Sequence, residues 1–115
     1  MPTFAVPASR LALEPEDVDP AQVVSGDPRT AAAVLWESED GRIVRGVWEC
    51  TPGVVTDVEQ DELFVILQGR ATVEVEGGST LELEPGVVGV LERGARTRWC
   101  VRETIRKVFQ ITLAD

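Results

Sequence analysis

The 115-residue chain contains no histidine. That absence removes Ser-His-Asp and Cys-His catalysis, imidazole general bases and every histidine-based metal site. Only two cysteines are present, Cys50 and Cys100, fifty positions apart and outside any CxxC pair, so neither a disulfide framework nor a thiolate metal site is expected. No apolar run approaches the roughly 18 residues of a membrane span, and the first residues lack a basic segment followed by an apolar one. A soluble, cytoplasmic protein is the expectation. Positive charge is also scarce: 11 basic against 20 acidic residues leave a net charge of −9 and a pI near 4.5. A nucleic-acid backbone or an anionic membrane surface would be repelled on average, and neither is expected as a partner.

What is present suits one folded domain. Apolar residues make up 43% of the chain, enough for a single core at this length. Residues 1–30 read as an irregular arm, with prolines at 2, 7, 15, 20 and 28 and an acidic cluster at Glu14, Glu16, Asp17 and Asp19. Phe4, Val6, Leu11 and Leu13 give this arm apolar side chains with which to dock, which a free tail does not need.

Residues 31–115 read as one all-β domain, short strands separated by Gly, Pro and acidic turn signals at the spacing of a sandwich or barrel. The strand candidates run over 32–38, 42–50, 63–68, 71–76, 80–84, 87–91, 96–101 and 104–113. Eight such strands suit a jelly roll. Glu39-Asp40-Gly41 and Gly77-Gly78 mark hairpins. Around the second, Ala71, Val73, Val75, Leu81 and Leu83 alternate with Thr72, Glu74, Glu76, Glu82 and Glu84, one face for the core and one for water.

The order of the pieces Gly46-Val47-Trp48-Glu49, Pro52-Gly53, Asp61 to Gly69, Pro85-Gly86, Arg98-Trp99 and Arg106-Lys107-Val108-Phe109 resembles the small single-domain cupins, in particular the branch related to ureidoglycine aminohydrolase and the ethanolamine-utilisation cupin. The resemblance spans residues 24–113 and implies a jelly-roll barrel, often a homodimer. Metal-binding cupins carry two His and a Glu in a first motif and one His in a second. Glu62 matches the Glu, but the two first-motif His positions fall within Val55 to Val58, and Thr97 stands at the last. The resemblance therefore implies no native metal site and no cofactor. At most a divalent metal is held through Glu62, with Asp57 or Glu59 beside it. Of the acidic segment Asp57, Glu59, Asp61, Glu62, the first three read as solvated turn residues.

Strand parity extends the reading to the lumen. With Glu62 inward, Phe64 and Ile66 follow it; Thr97, Trp99 and Val101 share a face opposite Arg96, Arg98 and Arg102; Ile105, Lys107, Phe109 and Ile111 share another. Lys107 is the only lysine beside ten arginines. A buried ammonium needs a partner, and Glu62 is the natural one. The candidate ligand-binding set is Trp48, Glu62, Phe64, Thr97, Trp99, Lys107 and Phe109, with Glu62 and Lys107 as the catalytic candidates. Three functions stay open on these residues: a metal-free barrel binding a small polar or carboxylate-bearing metabolite, an enzyme of small nitrogen- or carboxylate-containing metabolites with Glu62 as general base or residual metal ligand and Lys107 as electrostatic stabiliser, and a scaffold or partner subunit whose interfaces matter more than its lumen. The arginines at 93, 96, 98, 102 and 106 are expected to pair with glutamates across the sheet or across subunits.

Overall fold

The computed structural model describes residues 3–114. Nine strands form one continuous, curled antiparallel sheet: β1 (Glu14–Glu16), β2 (Val23–Gly26), β3 (Thr30–Glu37), β4 (Ile43–Cys50), β5 (Gly53–Val58), β6 (Asp61–Val75), β7 (Thr80–Leu83), β8 (Val88–Leu91) and β9 (Arg96–Thr112). The only helical element among the described residues is a 3-10 turn at Pro20–Gln22, with Asp19 accepting a hydrogen bond from the Ala21 N–H. This is the expected all-β jelly roll.

Two long strands make the barrel. The first half of β6 pairs with β8 on one edge and with residues 107–112 of β9 on the other, while its second half pairs with β7 and with residues 97–101 of β9. The two ends of β9 likewise pair with β4 and with β5. Both strands bend between their halves, where the register slips at Gln68 and Arg70, so each passes from one layer of the barrel to the other. The sequence places a break at these bends, which is why residues 63–68 and 71–76, and 96–101 and 104–113, read as separate strands. Gly69 makes the first bend possible: its φ is +90°, and a Cβ there would lie 2.1 Å from the Thr104 carbonyl oxygen.

Three strands are additional to the expected set. β5 pairs with β9 and with β2, and β1 pairs with β3, so residues 14–16 and 23–26 are part of the sheet. The segment before β1 is tied to the outer face of β4 and β9: the Arg106 guanidinium donates to the carbonyls of Ala8 and Leu11 and to Glu49, and the Gln68 amide donates to the Ser9 carbonyl. Arg106, expected in the exposed stripe, is buried by this docking. Arg98 and Arg102 are exposed and pair with Glu74 and Glu82 on neighbouring strands.

Two inward aromatics rest on glycines. Gly89 pairs with Phe64 and Gly46 with Phe109 across the sheet; a Cβ on Gly89 would lie 2.1 Å from the Phe64 ring, and one on Gly46 would lie 2.8 Å from that of Phe109. The missing side chains let each ring lie flat on the neighbouring backbone. The remaining core includes Cys50, Val55, Ile66, Ala71, Val73, Trp99 and Ile105, all fully or nearly buried.

Candidate functional site

The barrel holds an open cavity of about 540 Å³. Its floor is built from directly paired residues. Lys107 on β9 lies opposite Trp48 on β4 and opposite Ile66 on β6, while Glu62 reaches in from the start of β6. Lys107 and Glu62 are both about 94% buried. The Lys107 Nζ lies 2.6 Å from the Glu62 Oε2 and sits over three rings, 4.7 Å from the centroid of Trp48, 4.8 Å from Trp99 and 5.0 Å from Phe64. A buried ammonium is thus held by one carboxylate and by the negative faces of three aromatic rings. The contact to Oε2 is a short, charge-assisted pairing of the ammonium with the carboxylate. Burial pushes the Glu62 carboxyl above the usual carboxylate range, against the downward pull of the Lys107 charge, and Glu59 adds to the rise.

A second carboxylate stands above the first. Glu59, expected in a solvated turn, is buried. Its Oε2 accepts a 2.6 Å bond from the Thr97 hydroxyl and a 3.1 Å bond from the Trp99 indole N–H, and its backbone bonds to Gly94 and Ala95 fix the turn. Sequence spacing gives no sign of this, since the turn between β5 and β6 has no alternation. The signal was on β9: an inward Thr and an inward Trp each bring a donor that burial obliges to find an acceptor. At the mouth, Asp57 is exposed to solvent on one side. Its carboxylate accepts from the Val58 N–H, while burial of its inner side and repulsion from Glu59 push its pKa up to about 6. Asp61 accepts from the Arg93 N–H outside the barrel.

Of the seven residues expected to bind a ligand, Trp48, Glu62, Trp99, Lys107 and Phe109 line the cavity. The other two stand behind the wall, Phe64 beneath the Lys107 ammonium and Thr97 behind Glu59. Residues 16–18 and Gln22, from the proline-rich segment, contribute to the rim. Cys50 lies in the core, where burial raises its thiol to about 11 and leaves it protonated and inert. The donor set does not fit the metal of the cupins it resembles: residues 55–58 and Thr97 bring one carboxylate, Asp57, and no imidazole to the matching positions, Glu62 faces an ammonium, and among the described residues no three carboxylates or thiols converge as a cation's ligands would.

A curled jelly roll with an open lumen is an architecture that cupins share with other families. The model of the EutQ-like cupin domain matches residues 37–109, and the chain belongs to that family. No curated protein matches it significantly. Among solved structures, a protein of unknown function from Pseudomonas syringae pv. tomato is 26% identical over 90% of this chain, with a TM-score of 0.80; the chain spans only 45% of that protein's length. An ethanolamine utilisation protein Q from Salmonella typhimurium is 19% identical, covering 76% of this chain and 72% of its own, at a TM-score of 0.64. Ectoine synthase from P. lautus is likewise 19% identical over 83% of this chain and 71% of its own, at a TM-score of 0.62. The last two likenesses concern the fold alone.

Proposed function

We propose that this cupin binds a small metabolite in its lumen without a resident metal, and that Glu62, Lys107, Trp48 and Trp99 form the binding floor. The observation that carries the reading is the open cavity of about 540 Å³ lined by these residues, in which two buried charges stand among aromatic side chains. Aromatic walls with a few convergent polar groups are the usual makeup of a small-molecule site. A thermal-shift screen of amino acids, amines and carboxylates tests it. A ligand of the folded lumen raises the melting temperature with concentration, and Trp48→Ala, which removes one wall, should abolish the shift. Shifts that persist in this variant, or none across the screen, would contradict the reading.

One observation favours a second reading, an enzyme of small nitrogen-containing metabolites similar to ureidoglycine aminohydrolase. A buried carboxyl held above its usual range is suited to general acid-base work, and the adjacent ammonium would stabilise developing negative charge. Turnover of a bound ureide or amide that disappears in Glu62→Gln, with binding retained, would establish it.

A further inference from the structure

The sign of charge inside the cavity narrows the ligand class. Five acidic residues are among its lining, Glu16 and Asp17 at the rim, Asp57 at the mouth and Glu59 and Glu62 deeper, against the single basic residue Lys107. None of the ten arginines of the chain contributes to the wall. The Lys107 ammonium is moreover already occupied: Glu62 closes one side at 2.6 Å, and Trp48, Phe64 and Trp99 cover three others within 5.0 Å. A carboxylate ligand would have to displace Glu62 from it and enter past four acidic residues that no cationic side chain of the lining faces.

The hydrogen-bonding inventory has the same bias. One wholly buried acceptor atom of the lining residues, the Gln60 Oε1, has no hydrogen-bond donor. Buried acceptors in this state are rare and mark a place for a donor-bearing group. Among the described residues no three carboxylates converge as a metal cation's ligands would.

We infer that the ligand of this lumen is a small organic cation, a protonated amine whose N–H groups face the carboxylates of Glu59, Glu62 and Asp57 and whose carbon body lies against Trp48, Trp99 and Phe109. The inference rests on the binding-barrel reading above and reverses the carboxylate-bearing ligand expected from Lys107 alone. Lys107 is a positioning residue: it holds Glu62 ionised and in place.

Calorimetric titration of the untagged protein at low ionic strength with three probes of one carbon skeleton, propylammonium, propionate and 1-propanol, tests it. Propylammonium should bind saturably and at least about tenfold more tightly than the other two, a difference of about 1.4 kcal/mol. Added salt should weaken it. Asp57→Asn, a change at the exposed mouth that leaves the floor intact, should weaken propylammonium severalfold and leave 1-propanol unaffected. Glu62→Gln should release Lys107 and raise the affinity for propionate. Tighter binding of propionate by the unaltered protein would overturn the inference while leaving the binding barrel standing. Equal binding of all three probes, or of none, would also overturn it; the barrel reading would then depend on whether the thermal-shift screen yields a ligand.

Discussion

Lys107 and Glu62 show how a barrel tolerates a charge in its wall. Neither residue is stable alone at this depth, because an unpaired buried ion retains a desolvation penalty of several kcal/mol. Glu62→Gln or Lys107→Met alone should therefore cost about 3–5 kcal/mol in urea denaturation, whereas the double change Glu62→Leu with Lys107→Met should recover most of that loss. Additive losses would show that the two charges do not form a unit. Asp57 makes a prediction of opposite sign. Its folded pKa of about 6 lies above its ordinary 3.8, so the folded state binds the proton more tightly and this group's contribution declines as pH rises from about 4 to 6. Asp57→Asn should thus raise stability at pH 7, by less than about 1 kcal/mol given solvent screening at the mouth, and the gain should vanish below pH 4. A gain that persists at pH 3.5 would remove the titration as its cause. Burial sets this pKa first and repulsion from Glu59 second, against the downward pull of the Val58 N–H and, more weakly, of Lys107. At this scale the site was partly legible. Parity along β6 and β9 places Glu62, Trp99 and Lys107 inward, because an alternating strand cannot turn one residue without turning all. Glu59 was not legible, since a turn has no such period and its burial comes from partners 38 and 40 positions away.

The strands explain where the aromatics stand. Phe64 reaches under the Lys107 ammonium only because β8 presents Gly89 opposite it. Gly89→Ala would force the ring off its place and should cost about 1–3 kcal/mol, with a loosened Trp99 environment visible in near-ultraviolet circular dichroism because the two rings lie 5.9 Å apart. An unchanged spectrum and stability would mean the ring has room the geometry does not show. The first segment of the chain is held by a different device, the Arg106 guanidinium bridging Glu49 to the carbonyls of Ala8 and Leu11. Arg106→Ala should speed hydrogen exchange and proteolysis across residues 4–13 while the barrel strands keep their protection. Equal loosening of both would make Arg106 a core residue. Alternation and hairpin glycines made most strands legible. β5 was not, since Gly53 to Val58 follows a proline and ends in acidic residues, so its strand character comes from being sandwiched between β2 and β9.

At the scale of the whole molecule, the fold was more legible than the function, for a physical reason. A jelly roll is specified by dozens of apolar positions and turn glycines distributed along the chain, whereas the site depends on a few side chains from β4, β6 and β9 whose approach is set by register. The net charge of −9 was legible too, but not the gathering of five acidic residues around one cavity. Among the described residues no helix is long and apolar enough to cross a membrane. The fold hosts binding proteins and enzymes alike, so function must be argued from the lumen.

The lumen can be observed directly through its own fluorophores. Trp48 and Trp99 line the cavity, and the third tryptophan, Trp36, stacks outside it with Arg45 at 4.4 Å. In a Trp36→Phe protein all tryptophan emission reports on the cavity. Titration with propylammonium should give a saturable change in that emission, absent with Trp48→Ala added. Emission that drifts only linearly, as free tryptophan would, or a saturable change that persists without Trp48, would contradict a ligand site in this barrel.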